Sequence, residues 1–179
     1  MSKQLDIIGS TAYITIEGIK KVPAKIDTGA DSSAVWVSDV NVTKDNILEF
    51  KMFDETSKYY TGKVCRRADF RIAVVRSSNG IAEIRYRTHL KVKIGDREIR
   101  GMFTLADRSK NRFPVLIGRR TLRHKFLVDV SKAPVENELK HSRHEDLIRE
   151  FEFDPFTFHE NYVKNDKPLM EGDNYENRI

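Results

Sequence analysis

The chain has 179 residues, 39% hydrophobic and 33% charged. That is enough for one domain with a real core, and no apolar run reaches the length of a membrane span. The single cysteine, Cys65, excludes an intrachain disulfide. Met1-Ser2-Lys3-Gln4-Leu5-Asp6 lacks an apolar signal stretch, so a cytoplasmic protein with no membrane partner is the simplest expectation.

The charge is uneven. Residues 131–179 hold 7 Lys and Arg against 12 Asp and Glu, which leaves 25 against 15 in residues 1–130. A basic body with an acidic tail suits an acidic partner, either nucleic acid or a glutamate-rich peptide.

Leu5-Asp6-Ile7-Ile8 and Tyr13-Ile14-Thr15-Ile16 are short β-type runs split by Gly9-Ser10. After Gly18, the alternating run Lys21 to Ile26 predicts a strand leading into Asp27-Thr28-Gly29-Ala30-Asp31. Ser32 to Val37 predicts a strand leaving that turn, and Ser38 to Asn46 is a polar interval. The segments Ile47 to Phe53 and Lys58 to Cys65, joined by Asp54-Glu55-Thr56-Ser57, read as a hairpin. A second hairpin runs from Phe70 to Val75, turns at Ser77-Ser78-Asn79-Gly80, and returns from Ile81 to Tyr86; Asn-Gly is a strong hairpin signal.

Leu90 to Ile94 alternates, Gly95-Asp96 turns, and Ile99 to Leu105 makes another strand. Phe113-Pro114-Val115-Leu116-Ile117 reads as a buried strand that stops at Gly118. Arg119 to His124 is the one short helix of the body, and Phe126 to Val130 is its last strand. From Ser131 the β patterning ends. Glu145 to Phe151 predicts a helix, and Phe151, Phe153, Phe156 and Phe158 form an aromatic cluster in a segment expected to pack in part on the body.

Asp-Thr-Gly alone is what any surface turn looks like, since Asp and Gly dominate turns. A second element changes its weight: Leu116-Ile117-Gly118-Arg119-Arg120, followed by a short helix and the strand Phe126-Leu127-Val128-Asp129. Together with Ala24-Lys25-Ile26-Asp27-Thr28-Gly29-Ala30 and the hairpin Val75-Arg76-Ser77-Ser78-Asn79-Gly80, these motifs cover most of residues 11–130. In this order they resemble the retropepsin-like aspartic proteases. Within those they look like the bacterial family often labelled "ATP-dependent zinc protease" and associated with RimK-type glutamate ligases.

The resemblance implies a mainly β fold: a retropepsin-like (acid protease) closed β-barrel with a flap hairpin and one short helix over residues 1–130. Residues 47–65 would be an extra hairpin and residues 131–179 an acidic C-terminal extension, partly helical or irregular. Asp27, Thr28 and Gly29 would form the catalytic turn. Arg76, Ser77, Ser78, Asn79 and Gly80 of the flap, with Ala30, Asp31, Ile117 and Gly118, would bind substrate, and Arg119 would brace Asp31. Only one Asp-Thr-Gly is present, so the second carboxylate has to come from another copy, in a homodimer with the site on its two-fold axis. Two close carboxylates cannot both ionise and so share a proton. The flap tip, Ser-Ser-Asn-Gly, departs from the glycine-rich viral tip, which bears on its mobility.

The zinc label finds little in the residues. There is no His-Glu-x-x-His, and His141 and His144 stand three apart in a polar segment where solvated histidines are the ordinary case. No metal or cofactor is expected; without a glycine-rich phosphate loop, neither is ATP. The expected function is an aspartic endopeptidase acting on acidic or glutamate-rich peptides. Arg66, Arg67, Arg71, Arg76, Arg85 and Arg87 would form a basic rim on the groove, with solvated strand faces as the plainer account. The acidic tail would then act as a substrate mimic, and removing residues 132–179 would raise activity. A catalytically inactive peptide-binding module of the same fold is the alternative. A nucleic-acid binder fits worse, because the body has no recognition-helix pattern.

Overall fold

Alternation of apolar and polar side chains sets most of the chain into strands. The computed structural model describes residues 5–76, 82–135 and 141–165. Its strands are β1 (Asp6–Gly9), β2 (Thr11–Ile16), β3 (Ile19–Asp27), β4 (Ser33–Val42), β5 (Leu48–Met52), β6 (Val64–Arg67), β7 (Phe70–Arg76), β8 (Ala82–Ile94), β9 (Arg97–Ala106), β10 (Val115–Gly118) and β11 (Phe126–Asp129); helix α1 (Arg119–Leu122) separates the last two. Two compact units result, Met1–Val135 and Glu136–Ile179.

Six strands of the first unit close a barrel in the order β10-β3-β2-β8-β9-β4, and β4 returns to pair with β10. This is the closed, mainly β barrel anticipated from the motifs. Ile14 and Ile16 of β2, Val22 and Ala24 of β3, and Leu90, Val92 and Ile94 of β8 alternate into its core. Each such Val, Leu or Ile side chain, fully buried, contributes about 1.5–3 kcal/mol.

Several boundaries differ from the sequence reading. Of the runs expected at 81–86 and 90–94, residues 82–86 and 90–94 belong to one strand, β8, whose first half pairs with β7 and whose second half pairs with β9. Arg87 and His89 break the apolar pattern but not the ladder. The polar interval after Val37 is also strand: β4 continues to Val42 and pairs there with β5. A register shift between Ser38 and Asn41, with Asp39 at φ 52°, bends β4 within its pairing with β5. In the extra hairpin the second strand lies later than expected, at Val64–Arg67, so the connection from β5 is long and irregular.

The flap arms pair from Phe70↔Thr88 to Arg76↔Ala82. The turn Ser77-Ser78-Asn79-Gly80 lies outside the described residues. β1 and β11 pair in parallel as a separate two-stranded sheet. Beyond it the chain folds back: Ser10 N donates to the Lys132 carbonyl (2.7 Å) and Val135 N to Thr11 Oγ1 (3.0 Å). A β-carbon on Gly9 would lie 2.3 Å from that carbonyl oxygen, so only glycine admits this return.

The second unit holds α2 (His141–Phe153), α3 (Pro155–His159) and a π-helical turn over Glu160–Lys164. Asp154 caps α3 by accepting from Thr157 N (3.1 Å), with Pro155 at the first helical turn. Of the four phenylalanines read as a cluster, Phe151 and Phe158 meet edge-to-face and Phe158 packs on Tyr162. Phe153 and Phe156 join neither contact and are more exposed than Phe151, because they fall on other sides of their helices.

Candidate active site

Asp27 ends β3, and its neighbour in the parallel ladder is Gly118, the last residue of β10. The buried alternation Val22, Ala24, Ile26 holds β3 down to the residue before it. Past Asp27 the backbone turns, and the carboxylate helps to set that turn: Oδ1 accepts from Gly29 N (3.0 Å) and Ala30 N (3.1 Å). The other oxygen, Oδ2, stands 3.5 Å from Lys25 Nζ. The side chain keeps 24% of its surface exposed, so Asp27 is anchored yet open to solvent.

Thr28 and Gly29 project from the turn and are exposed. Among the described residues the Thr28 hydroxyl has no partner. Gly29 has an ordinary backbone conformation, and an added β-carbon would meet only Asp27 Oδ1, at 3.4 Å. The chain by itself therefore has room for a side chain at position 29.

Gly118 is the opposite case. A β-carbon there would lie 2.6 Å from the Ser32 carbonyl and 2.9 Å from the Ala30 oxygen. The end of β10 thus passes directly over the turn. Next to it, Arg119 N donates to the Ala30 carbonyl (2.8 Å) and Arg120 N to that of Asp31 (3.3 Å). Arg119 also reaches Asp31 with its guanidinium, donating from Nε to Oδ1 (2.5 Å) and pairing through Nη2. So the structure brings Ala30, Asp31, Gly118 and Arg119 together around Asp27.

Ile117 does not join them. Its side chain is fully buried in the barrel core, as expected of an alternating strand, and cannot line a groove. Beneath the turn lies a buried network that the sequence reading lacks. Ser33 Oγ bonds to Thr121 Oγ1 (2.8 Å) and accepts from Gly118 N (3.0 Å), while Thr104 Oγ1 donates to the Ser33 carbonyl (3.1 Å). It ties β4, β9, β10 and α1 at one point. Nothing in the sequence distinguishes Ser33 or Thr121 from surface hydroxyls; only the crossing of four elements does.

The proposed basic rim separates into parts. Arg66 is paired with Glu49 (2.9 Å), Arg67 with Glu17 (2.7 Å) and Arg85 with Glu83. Arg71 and Arg76 are exposed on β7, and Arg87 is half-buried opposite Arg71. A further arginine, Arg108, follows β9, half-buried, with Nε donating to the Phe113 carbonyl (3.2 Å). A hollow of about 510 Å³ lies elsewhere, between the β2–β3 turn at Glu17 and Gly18 and strand β6. Cys65 borders it, and burial raises its thiol pKa, so Cys65 has the character of a packed rather than a reactive thiol.

The sequence model of the RimB-like family, described as "Retropepsin-like aspartic endopeptidase RimB", matches residues 7–138. The chain belongs to the RimB-like family. The match covers the whole barrel, β11 and the returning segment that ends at Val135. Two curated relatives named "Probable alpha-L-glutamate ligase", from Shewanella pealeana and Shewanella halifaxensis, are each 25% identical over 138 residues. Those matches cover 74% of this chain and 30% of each relative, so the chain spans under a third of their length. A crystal structure of a Legionella pneumophila protein with unknown function superposes with a TM-score of 0.54 at 21% identity, covering 73% of this chain and 97% of that one. That likeness is one of fold alone.

Proposed function

We propose that this RimB-like chain is an aspartic endopeptidase that hydrolyses acidic or glutamate-rich peptides with a site completed by a second copy. The observation that carries this reading is the presentation of Asp27. Its carboxylate is pinned by two backbone N–H groups at the end of a core strand and stays open to solvent. The Thr28 hydroxyl and the open space beside Gly29, which a second copy and a substrate would meet, are left unused by the chain's own packing.

In this reading the Asp27 carboxylates of two chains face each other and hold one proton between them. The ionised one takes a proton from a water held between them as the water oxygen attacks the scissile carbonyl carbon. The protonated one gives its proton to the carbonyl oxygen, forming a gem-diol. Collapse of the diol breaks the C–N bond, and the amide nitrogen leaves as an amine after taking a proton. One peptide and one water become an acid and an amine. Asp31 and Arg119 hold the turn in place, and the β7–β8 hairpin covers the extended peptide. The basic body of the chain and its likeness to part of glutamate-ligase chains both support an acidic substrate.

Lys25 favours the second reading, a peptide-binding module without catalysis. It gives Asp27 a cationic partner within its own chain, which a carboxylate sharing a proton with its twin would have to leave. The two readings part in one experiment. Glutamate-rich peptides are incubated with the protein and with Asp27→Asn, and products are read by mass spectrometry. A peptidase cleaves them, loses cleavage on substitution, and is blocked by a gem-diol mimic. A binding module holds the peptides intact with or without Asp27. Cleavage that survives Asp27→Asn, or that stops only with a chelator, overturns the mechanism.

A further inference from the structure

Lys25 and Asp27 leave β3 on the face opposite Val22, Ala24 and Ile26. The Asp27 carboxylate uses its two oxygens differently. Oδ1 is tied to the turn by Gly29 N and Ala30 N, while Oδ2 faces the Lys25 ammonium at 3.5 Å. Among the described residues no other cation pairs with Asp27. Arg119 and Arg120, which follow Gly118, pair with Asp31 instead. The arginines of the hairpin arms, Arg71, Arg76 and Arg87, add to the basic character of the body, but none of them is paired with Asp27 either.

Nothing in the fold asks for an ammonium at position 25. Its ladder neighbours are Leu116 on β10 and Thr11 on β2, both uncharged. Its side chain is 55% exposed, and its distance to Asp27 is longer than a hydrogen bond. So loose and exposed a pair adds little to stability. Yet Lys25 stands at the oxygen that the turn leaves open. The charge has a use if the bound peptide gives Lys25 a different partner.

We infer that Lys25 is a specificity-determining residue: its ammonium leaves Asp27 for the side-chain carboxylate of a glutamate beside the scissile bond. The inference rests on the reading of Asp27 as the hydrolytic centre and says which group selects acidic peptides there. An extended chain advances about 3.3 Å per residue, so Lys25 reaches Asp27 across about 6.6 Å of β3, the span from a scissile carbonyl to the side chains one or two residues away in an extended peptide. A peptide under the β7–β8 hairpin shields the ammonium from water, and a covered charge needs a partner. A substrate carboxylate supplies one and frees Oδ2 of Asp27 for water and the shared proton. A peptide without an acidic side chain leaves Lys25 on Asp27. The contact that speaks against catalysis in the free chain is thus the one that an acidic substrate replaces.

The test separates recognition from cleavage. Binding of hexaglutamate and hexaglutamine is measured with the full chain carrying Asp27→Asn, alone and combined with Lys25→Gln, Lys25→Arg or Lys20→Gln. Hexaglutamate is expected to bind about tenfold more tightly than hexaglutamine, the worth of one charge-assisted hydrogen bond. Lys25→Gln should remove most of that preference, and Lys25→Arg should keep most of it. Lys20→Gln takes the same charge from the far, exposed end of β3 and should leave the preference in place. Equal binding of the two peptides, a preference that survives Lys25→Gln, or an equal loss with Lys20→Gln overturns the inference. Lys25→Met, close in shape to the lysine stem, is the second variant should Lys25→Gln lower the melting temperature, and it is read by the same criterion. Cleavage is read separately. Hexaglutamate left intact by the unsubstituted protein, with the binding preference as predicted, would count against the peptidase reading and not against Lys25 as the group that selects acidic peptides.

Discussion

Gly118 and Asp27 stand side by side at the ends of two parallel strands, and the chain leaves no space for a β-carbon on the glycine. Gly29, two residues past Asp27, has that space. The two glycines therefore answer to different demands. Gly118→Ala must push β10 off the Ser32 carbonyl and should cost about 1–3 kcal/mol, the usual range for overpacking. Gly29→Ala should leave the melting temperature nearly unchanged while abolishing peptide cleavage. Thermal unfolding of both variants, beside an activity assay, checks the contrast; equal destabilisation would show that the turn itself needs Gly29.

The buried hydroxyl pair Ser33–Thr121 is the deeper support of the turn. Ser33 Oγ also accepts from Gly118 N, so removing it strands a buried donor. Ser33→Ala is expected to destabilise by about 1–3 kcal/mol. Thr121→Val, which keeps the shape and removes one partner, should cost less. Denaturant unfolding of the two variants and of the double substitution measures the coupling; strictly additive losses would mean that the bond contributes nothing.

The Asp31–Arg119 pair behaves differently because both side chains are more than half exposed. Exposed ion pairs contribute about 0–1 kcal/mol. Asp31→Asn should thus change stability little, and any larger effect on activity would report the position of the turn. Rescue by concentrated salt is not expected, since the geometry and not the charge alone is at stake. A melting loss of the size predicted for Ser33→Ala would contradict this assignment.

The two-stranded sheet should make the first unit acid-sensitive. The Asp6 carboxyl is held below the ordinary carboxylate range by its hydrogen bond with Arg97, and Asp129 by those from Ser131 and Lys132. A depressed folded-state pKa means that the unfolded chain binds protons more readily. The stability these groups supply is present above about pH 4 and is lost as pH falls through their folded values. Asp6→Asn should flatten melting temperature against pH below that point and lower it modestly near neutrality, where the contribution of the pair is present. A curve of unchanged slope would remove Asp6 from the account.

The barrel is legible in the sequence because its strands alternate: Val22, Ala24 and Ile26, or Leu90, Val92 and Ile94, announce a buried face by spacing alone. The turn at Asp27 and its partner Gly118 are legible through motif order. Strand limits are not. Arg85 and Arg87 look like the end of a hairpin arm, yet β8 runs through them because backbone pairing ignores side-chain polarity. Ser38 to Val42 looks like loop, yet it stays paired with β5 across a bulge at Asp39. The Ser33–Thr121 bond depends on elements far apart in sequence meeting at one point, which no local pattern encodes. Ile117 misleads in the other direction: a motif residue beside the site is packing, not groove.

Under the proposed mechanism, Asp27 of one chain needs Asp27 of another. A fixed amount of the unsubstituted protein is mixed with a rising excess of Asp27→Asn, allowed to exchange, and assayed on a glutamate-rich peptide. Shared sites predict that activity per unsubstituted chain falls steadily as mixed dimers replace active ones. Activity that stays constant at every ratio would mean that each chain works alone, and would contradict the account.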